Sequence, residues 1–310
     1  MSERESGASG SLTRALDRCF YPPAPAARLA TLRVLVGGYA LALLVIGGFN
    51  FASVTRFHAA EFAPVGPVSL LSAPLPALAV YLTLVLAVVS GVAFVSGYRY
   101  RLFGPAFALL FLWVTSYRSS WGMKFHTENL VALHLLLLGV APAADRGEEE
   151  HGRYGWAIRA MSIVTVTTYV IAGLAKLRLG GGEWLTGETL RTQVAYDNLR
   201  KIELGSVHSP IGAALVGWDG FFRVLGVGTL VLELGAPIAL LGGRVARGWV
   251  GAAFAFHWGV VLLMAIAFPY PLSGIAYVSF FEVERLRKLR AYRFLEPRFQ
   301  KIGALVAPKG

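Results

Sequence analysis

The chain has 310 residues, of which 55% are hydrophobic and only 15% are charged. Soluble globular domains carry roughly a quarter of charged residues, and disordered chains combine high charge with few apolar groups. The composition therefore argues against both classes. The long apolar runs are typical of a polytopic membrane protein.

The net charge of +11 comes from 29 lysine and arginine residues against 18 aspartate and glutamate residues. In a soluble protein this excess would suggest nucleic-acid binding. Here the basic residues lie mostly in short segments between apolar runs. We interpret them as topological charge in contact with anionic lipid head groups, and we expect no nucleic-acid partner. The single cysteine, Cys19, excludes an internal disulfide, and no zinc-binding pattern occurs.

Apolar runs predict an all-α bundle of seven to eight transmembrane helices. They fall at about residues 29–49, 77–97, 102–117, 130–143, 160–177, 221–242, 246–268 and 272–283. No short apolar stretch with a small-residue cleavage site precedes the first run, which we expect to act as an uncleaved signal-anchor. The eighth run is short and follows Pro269-Tyr270-Pro271, so a half-helix or an interfacial segment is the alternative there.

Eight spans with the amino terminus inside would put most basic residues on one side, as the positive-inside rule requires. We therefore predict both termini in the cytoplasm of a multi-pass protein of the bacterial plasma membrane. The predicted organisation is a cytoplasmic tail over residues 1–24, a transmembrane domain over 25–283 and a basic cytoplasmic tail over 284–310.

The longest loop, about residues 178–219, falls outside in this topology. Leu190, Val194, Leu199 and Ile202 recur there at roughly helical spacing. This pattern predicts an amphipathic helix on the outer surface.

An outer polar cluster is predicted between the third and fourth runs. Ionisable residues near spans usually face the bundle interior or a cavity. The cluster comprises Arg118, Trp121, His126, Glu128 and Asn129. His126 is either a functional group or a histidine that caps the start of the fourth helix.

Lys176 lies near the outer end of the fifth run, level with His126. Tyr169 shares its helix face, and Gly173 would let a neighbouring helix or a flat ligand come close. Lys176 either snorkels to water or acts as a desolvated base.

A deeper cluster is predicted from Glu233 and His257, which share a depth when counted from the inner ends of their spans. They are either a buried pair that fastens two helices, or a proton relay or ligand contact. Pro237 is expected to kink the sixth span just beyond Glu233.

Four segments that contain these polar residues resemble, in their order along the chain, the HTTM domain. This domain is the transmembrane module shared with vitamin K-dependent gamma-glutamyl carboxylase. The resemblance rests on Trp121–Leu130 (WGMKFHTENL), Tyr169–Leu177 (YVIAGLAKL) with Trp184 and Gly187, Glu233 with Pro237, and His257 with Phe268-Pro269. Together they cover about residues 25–283.

The resemblance implies that Lys176 is the base toward a vitamin K hydroquinone and that His126 is needed for the same chemistry, both on the outer side. It implies reduced vitamin K or menaquinol with O2 and CO2, and no metal. Two positions depart from the carboxylase pattern, since Ala175 replaces a second lysine and Phe125 an asparagine. No counterpart of the large lumenal β-rich region follows the eighth run, so we expect a separate peptide or protein substrate.

Two functions from different classes follow. The first is an integral-membrane, carboxylase-like enzyme with quinol-dependent oxygenation, deprotonation or carboxylation chemistry at an outer intramembrane cleft, with Lys176 and His126 catalytic. The second is a non-catalytic membrane partner for export, maturation or immunity, or a lipid-binding module. A transporter is a third option, although we see no inverted repeat.

Overall fold

The computed structural model describes Asp17 and residues 19–122, 126–145 and 147–288, without the side chains of His126 and Lys288. Of the described residues, 78% are helical and almost none lie in a sheet. The longer helices are α1 (Ala26–Ile46), α2 (Ala77–Ser96), α3 (Tyr100–Arg118), α4 (Asn129–Val140), α5 (Gly152–Gly180), α6 (Glu188–Glu203), α7 (Asp219–Leu234) and α8 (Gly243–Met264).

Short elements connect these helices. Short α-helices lie at Gly48–Ser53, Glu183–Thr186, Pro210–Leu215 and Pro269–Leu272. Short 3-10 helices lie at Val54–Arg56, Ala59–Glu61, Gly66–Leu70, His126–Glu128, Ala236–Leu241, Ile275–Phe280 and Val283–Lys288. Two strands, β1 (Ala24–Pro25) and β2 (Glu150–His151), pair antiparallel with Ala24 opposite His151.

Four helices of the described residues, α1, α2, α5 and α8, are long and apolar enough to cross a membrane. At about 1.5 Å per residue, about 20 residues match the roughly 30 Å hydrocarbon core of a bilayer. The prediction of a helical chain with membrane-length apolar helices is confirmed at this level. The eighth run is not a continuous α-helix, because Gly274, at a φ of 77°, separates the short helix Pro269–Leu272 from 3-10 helices; short pieces agree better with the half-helix alternative.

The sixth predicted run is divided as well. α7 ends at Leu234, and the 3-10 helix Ala236–Leu241 follows. Pro237 has no amide hydrogen and its ring clashes with the carbonyl four residues earlier, so the α-helical pattern stops there. The expected kink is therefore a change of helix type.

The chain forms two compact units, residues 1–161 with 281–310, and residues 162–280. In the first unit, α3 and α4 approach closely at Gly104 and Gly139. A Cβ on Gly104 would lie 2.7 Å from the Gly139 carbonyl oxygen, and one on Gly139 would lie 2.8 Å from that of Gly104. Small residues allow this backbone proximity, which packs apolar helices where no hydrophobic force between them acts.

Two side-chain contacts fasten the segment after residue 281 to α1 in the same unit. Arg28 donates to both carboxylate oxygens of Glu284, at 2.8 and 2.7 Å, and Arg287 Nε donates to Thr31 Oγ1 at 2.9 Å. Burial raises the pKa of the Glu284 carboxyl, but the Arg28 hydrogen bonds outweigh burial and hold that pKa below its ordinary value.

In the second unit, α6 confirms that the longest loop contains a helix, and its place on an outer surface stays a prediction. Val194 is fully buried, whereas Leu199 and Ile202 are 56% and 51% exposed. The buried side of α6 is partly polar. Asn198 Nδ2 donates to the Leu263 carbonyl at 3.0 Å, and Lys201 Nζ donates to that of Met264 at 2.5 Å. These carbonyls at the end of α8 have no partner within the helix, so α6 supplies it.

Candidate functional site

Lys176 and Glu233 form an ion pair in the second unit. Lys176 Nζ on α5 contacts Glu233 Oε1 on α7, and the side chains are 20% and 3% exposed. Gly173 lies one turn before Lys176, and a Cβ there would lie 2.9 Å from Leu234 and 3.1 Å from Glu233 Cβ. The glycine thus lets α7 come close enough for the pair, as the sequence predicted for this position.

Two aromatic rings also face the Lys176 ammonium. Nζ lies 5.3 Å from the ring centroid of Trp184 and 5.9 Å from that of Phe256. An aromatic face within about 6 Å attracts a cation through its quadrupole. The carboxylate and the two rings therefore form the contacts of Nζ that the described residues supply.

Tyr169 joins three elements through its hydroxyl group. Its oxygen lies 2.8 Å from His257 Nε2 on α8 and 2.5 Å from the Tyr277 hydroxyl on the 3-10 helix Ile275–Phe280. Trp249 closes this cluster, with its ring 5.0 Å from that of Tyr169 and its Nε1 donating to the Leu232 carbonyl at 3.0 Å. Each of these four residues exposes less than a tenth of its surface to solvent.

Two buried polar atoms of this cluster accept or donate no hydrogen bond among the residues that the structure describes. They are Glu233 Oε2 and His257 Nδ1. Most buried polar atoms in proteins are paired, so each such atom requires an explanation. A polar group of a ligand is one explanation that the composition of the site allows.

An apolar cavity of about 370 Å³ lies between α6, α7 and α8 in the same unit. Ligand pockets in proteins span about 300–1,000 Å³ and are mostly apolar. Thr229 is its polar lining side chain; the others include Leu190, Val194, Leu225, Leu232, Phe256, Val260 and Leu263. Phe256 both lines the cavity and faces Lys176, so this ring links the cavity to the ion pair.

The structure reorganises the two predicted clusters. Lys176 was expected with the outer residues and Glu233 with His257 at greater depth, but Lys176 contacts Glu233 and His257 contacts Tyr169. The prediction of a direct Glu233–His257 pair is wrong. Since Lys176 is ion-paired and mostly buried, it does not snorkel to bulk water in this structure.

The remaining predicted site residues lie in the first unit. Arg118 Nη1 contacts Glu128 Oε1 at 3.3 Å and its guanidinium lies 5.1 Å from the Phe51 ring centre. Trp121 packs against Tyr117 in a buried cluster, and Asn129 is exposed. The His126 side chain and residues 123–125 lie outside the described residues, so the role of His126 stays a prediction.

Sequence reasoning missed Phe256, Trp249 and Tyr277. Trp184 was singled out only within the HTTM-like segment, and its contact with Lys176 was not predicted. Ser162, Thr165, Tyr169 and Lys176 follow a heptad-like spacing on α5, which marks one polar face of an apolar helix. A polar face on an apolar helix indicates polar partners on the segment that packs against it, and Tyr277 is one of these partners.

Comparisons with known proteins give no relative. No family model, no curated protein and no solved structure matches this chain. The site must therefore be interpreted from its own chemistry.

Proposed function

We propose that the chain is an integral-membrane enzyme that acts on a quinol-type lipid at the Lys176–Glu233 pair. The proposed topology has seven to eight membrane segments and both termini in the cytoplasm. It places the site near the outer face of a bacterial plasma membrane. The reaction class is carboxylase-like, in accord with the resemblance to the HTTM domain.

The observation that carries the proposal is an apolar cavity whose lining residue Phe256 faces Lys176 of the Lys176–Glu233 pair. Ionisable groups in apolar helices are costly and usually serve a function. The cavity suits the ring and apolar tail of a membrane-soluble ligand, and the pair suits an acidic hydroxyl group. Tyr169 and His257 would hold the polar end of such a ligand.

Reduced vitamin K or menaquinol would supply the reducing power for oxygen. One molecule of quinol and one of O2 give the quinone epoxide and one of water, so that atoms and electrons balance. The Lys176–Glu233 pair takes the proton of the quinol hydroxyl group in the first step of this reaction. His126 is proposed to orient the oxygen atom of that hydroxyl group. In a carboxylating reaction, the base so generated would take a proton from a carbon of a separate peptide or protein substrate, to which CO2 adds.

The test is quinol oxidation by purified protein in nanodiscs under oxygen. Vitamin K hydroquinone and menaquinol are supplied in parallel, and epoxide formation is followed for wild type and Lys176→Ala. Glu284→Gln is the matched control, because it alters an ion pair outside the site. Epoxide formation by wild type and the control, with loss in Lys176→Ala, would support the proposal. Folded wild-type protein that oxidises neither quinol would overturn it and favour a non-catalytic membrane partner.

A further inference from the structure

We propose that Glu233 accepts the proton from the ligand's hydroxyl group, and that Lys176 stays an ammonium ion that holds the resulting anion. The inference rests on the proposed function, since it assigns the proton acceptor of the same site. It reverses the role that the resemblance implies for Lys176. It also narrows the ligand class to acidic hydroxyl compounds of the phenol or quinol type.

The first argument is the environment of Lys176. The Glu233 carboxylate and the rings of Trp184 and Phe256 surround Nζ. Each of the three stabilises an ammonium ion and none stabilises a neutral amine preferentially. A lysine that acts as a base needs the opposite environment, namely an apolar pocket or a neighbouring cation.

The second argument is the state of the Glu233 carboxylate. Oε1 contacts Lys176, whereas Oε2 is buried and accepts no hydrogen bond from the described residues. An ionised carboxylate accepts at both oxygens, so Oε2 retains its full capacity to accept. His257 Nδ1 is unpaired as well, but within the described residues no carboxylate forms an ion pair with His257 that would compensate a proton gained there.

The third argument is charge balance. Before the transfer, the Lys176 ammonium and the Glu233 carboxylate sum to zero, and the hydroxyl ligand is neutral. Afterwards Glu233 is a neutral carboxylic acid, and the ammonium faces the ligand's oxygen anion. The oxygen–hydrogen bond of the ligand breaks and one forms at Glu233 Oε2, while the site stays neutral. A low-dielectric site favours a transfer that creates no uncompensated charge.

The experiment uses 2-naphthol, which carries one acidic hydroxyl group on a bicyclic ring and cannot be oxidised to a quinone as a quinol can. Naphtholate is recorded by its absorption in nanodiscs that contain wild type, Lys176→Arg, Glu233→Gln or the Glu284→Gln control. Arginine keeps the positive charge but cannot act as a base, and glutamine keeps the shape of Glu233 but accepts no proton. Thermal unfolding verifies that each variant is folded. If Lys176→Arg does not fold, Lys176→Ala with added methylguanidinium, which stays protonated like arginine, replaces it as the cation-only form.

We expect bound naphtholate in wild type, in the control and in the cation-only form, and its loss in Glu233→Gln. Naphtholate in Glu233→Gln without naphtholate in the cation-only form would overturn the inference and make Lys176 the acceptor. Naphtholate in none of the folded proteins would also overturn it, since the pair would then be a structural contact. If naphtholate forms in wild type and in the cation-only form but not in Glu233→Gln, and no quinol is turned over, the role of Glu233 is supported and the proposed oxidation is contradicted.

Discussion

Lys176 and Glu233 are 57 positions apart in the chain, yet they form a direct ion pair in which the carboxylate is almost entirely buried. Removal of one member of a buried pair leaves an uncompensated charge. Replacement of both by apolar residues does not, so the two changes have different consequences.

We expect Lys176→Met to lower the free energy of unfolding by about 3–5 kcal/mol, because it leaves the Glu233 carboxylate unpaired. The double variant Lys176→Met/Glu233→Leu should recover most of that loss. Denaturation of both proteins in detergent micelles measures the difference. A double variant that is less stable than the single one would show that the pair is not the reason for the loss.

Tyr169→Phe should destabilise the second unit more than Tyr277→Phe. The Tyr169 hydroxyl has two buried partners, His257 and Tyr277, whereas the Tyr277 hydroxyl bonds Tyr169. A buried group that loses its partner costs about 1–3 kcal/mol, so Tyr169→Phe should cost about that much or slightly more. The unfolding midpoints of the two variants test whether Tyr169→Phe is the more destabilising change. Equal midpoints would contradict this prediction.

Gly104→Ala should weaken the contact between α3 and α4, because the added Cβ would lie 2.7 Å from the Gly139 carbonyl oxygen. We expect a loss of about 1–3 kcal/mol, as for other overpacked interiors. Gly38→Ala is the matched control within a helix, since a Cβ there meets no atom within 4 Å. The control should be neutral or more stable, by up to about 1 kcal/mol. Equal unfolding midpoints for the two variants would refute the close approach.

Glu284 should make the stability of the first unit depend on pH. Its pKa is held below the ordinary value, so its contribution is complete above the unfolded pKa of about 4.3 and is lost as the pH falls through the folded pKa. Glu284→Gln should lower the midpoint at neutral pH and flatten this dependence. The measurement is thermal unfolding between pH 7 and pH 3. An unchanged slope in the variant would assign the acid sensitivity to other carboxyl groups.

The sequence predicted the long helices well because their apolar runs are long and bounded by turn residues. α2 begins at the predicted residue 77, and α1 lies within a few residues of its predicted run. Where Pro237 interrupts the sixth run and Gly274 the eighth, composition alone did not distinguish a span from short helical pieces.

The site was predicted in part. Lys176, Tyr169, Glu233 and His257 were singled out as polar residues in apolar segments, but their pairing was not. α5 continues to Gly180, beyond the predicted end at 177, so Lys176 lies about one turn inside the helix. Gly173 then admits α7, and the long lysine side chain reaches Glu233. Such a contact depends on helix ends and on packing, which one sequence does not specify.

The central claim is that the cavity between α6, α7 and α8 binds a quinol-type ligand next to the ion pair. Gly259 lines this cavity, whereas Gly251 lies on the same helix outside it, and a Cβ on either glycine meets no atom within 4 Å. The most direct measurement is therefore the binding of menaquinol, kept reduced in the absence of oxygen, to Gly259→Leu and Gly251→Leu in nanodiscs, with wild type as reference. We predict that Gly259→Leu loses binding while Gly251→Leu binds as wild type does. Binding that is equal in all three proteins would contradict the assignment of the cavity as the ligand site.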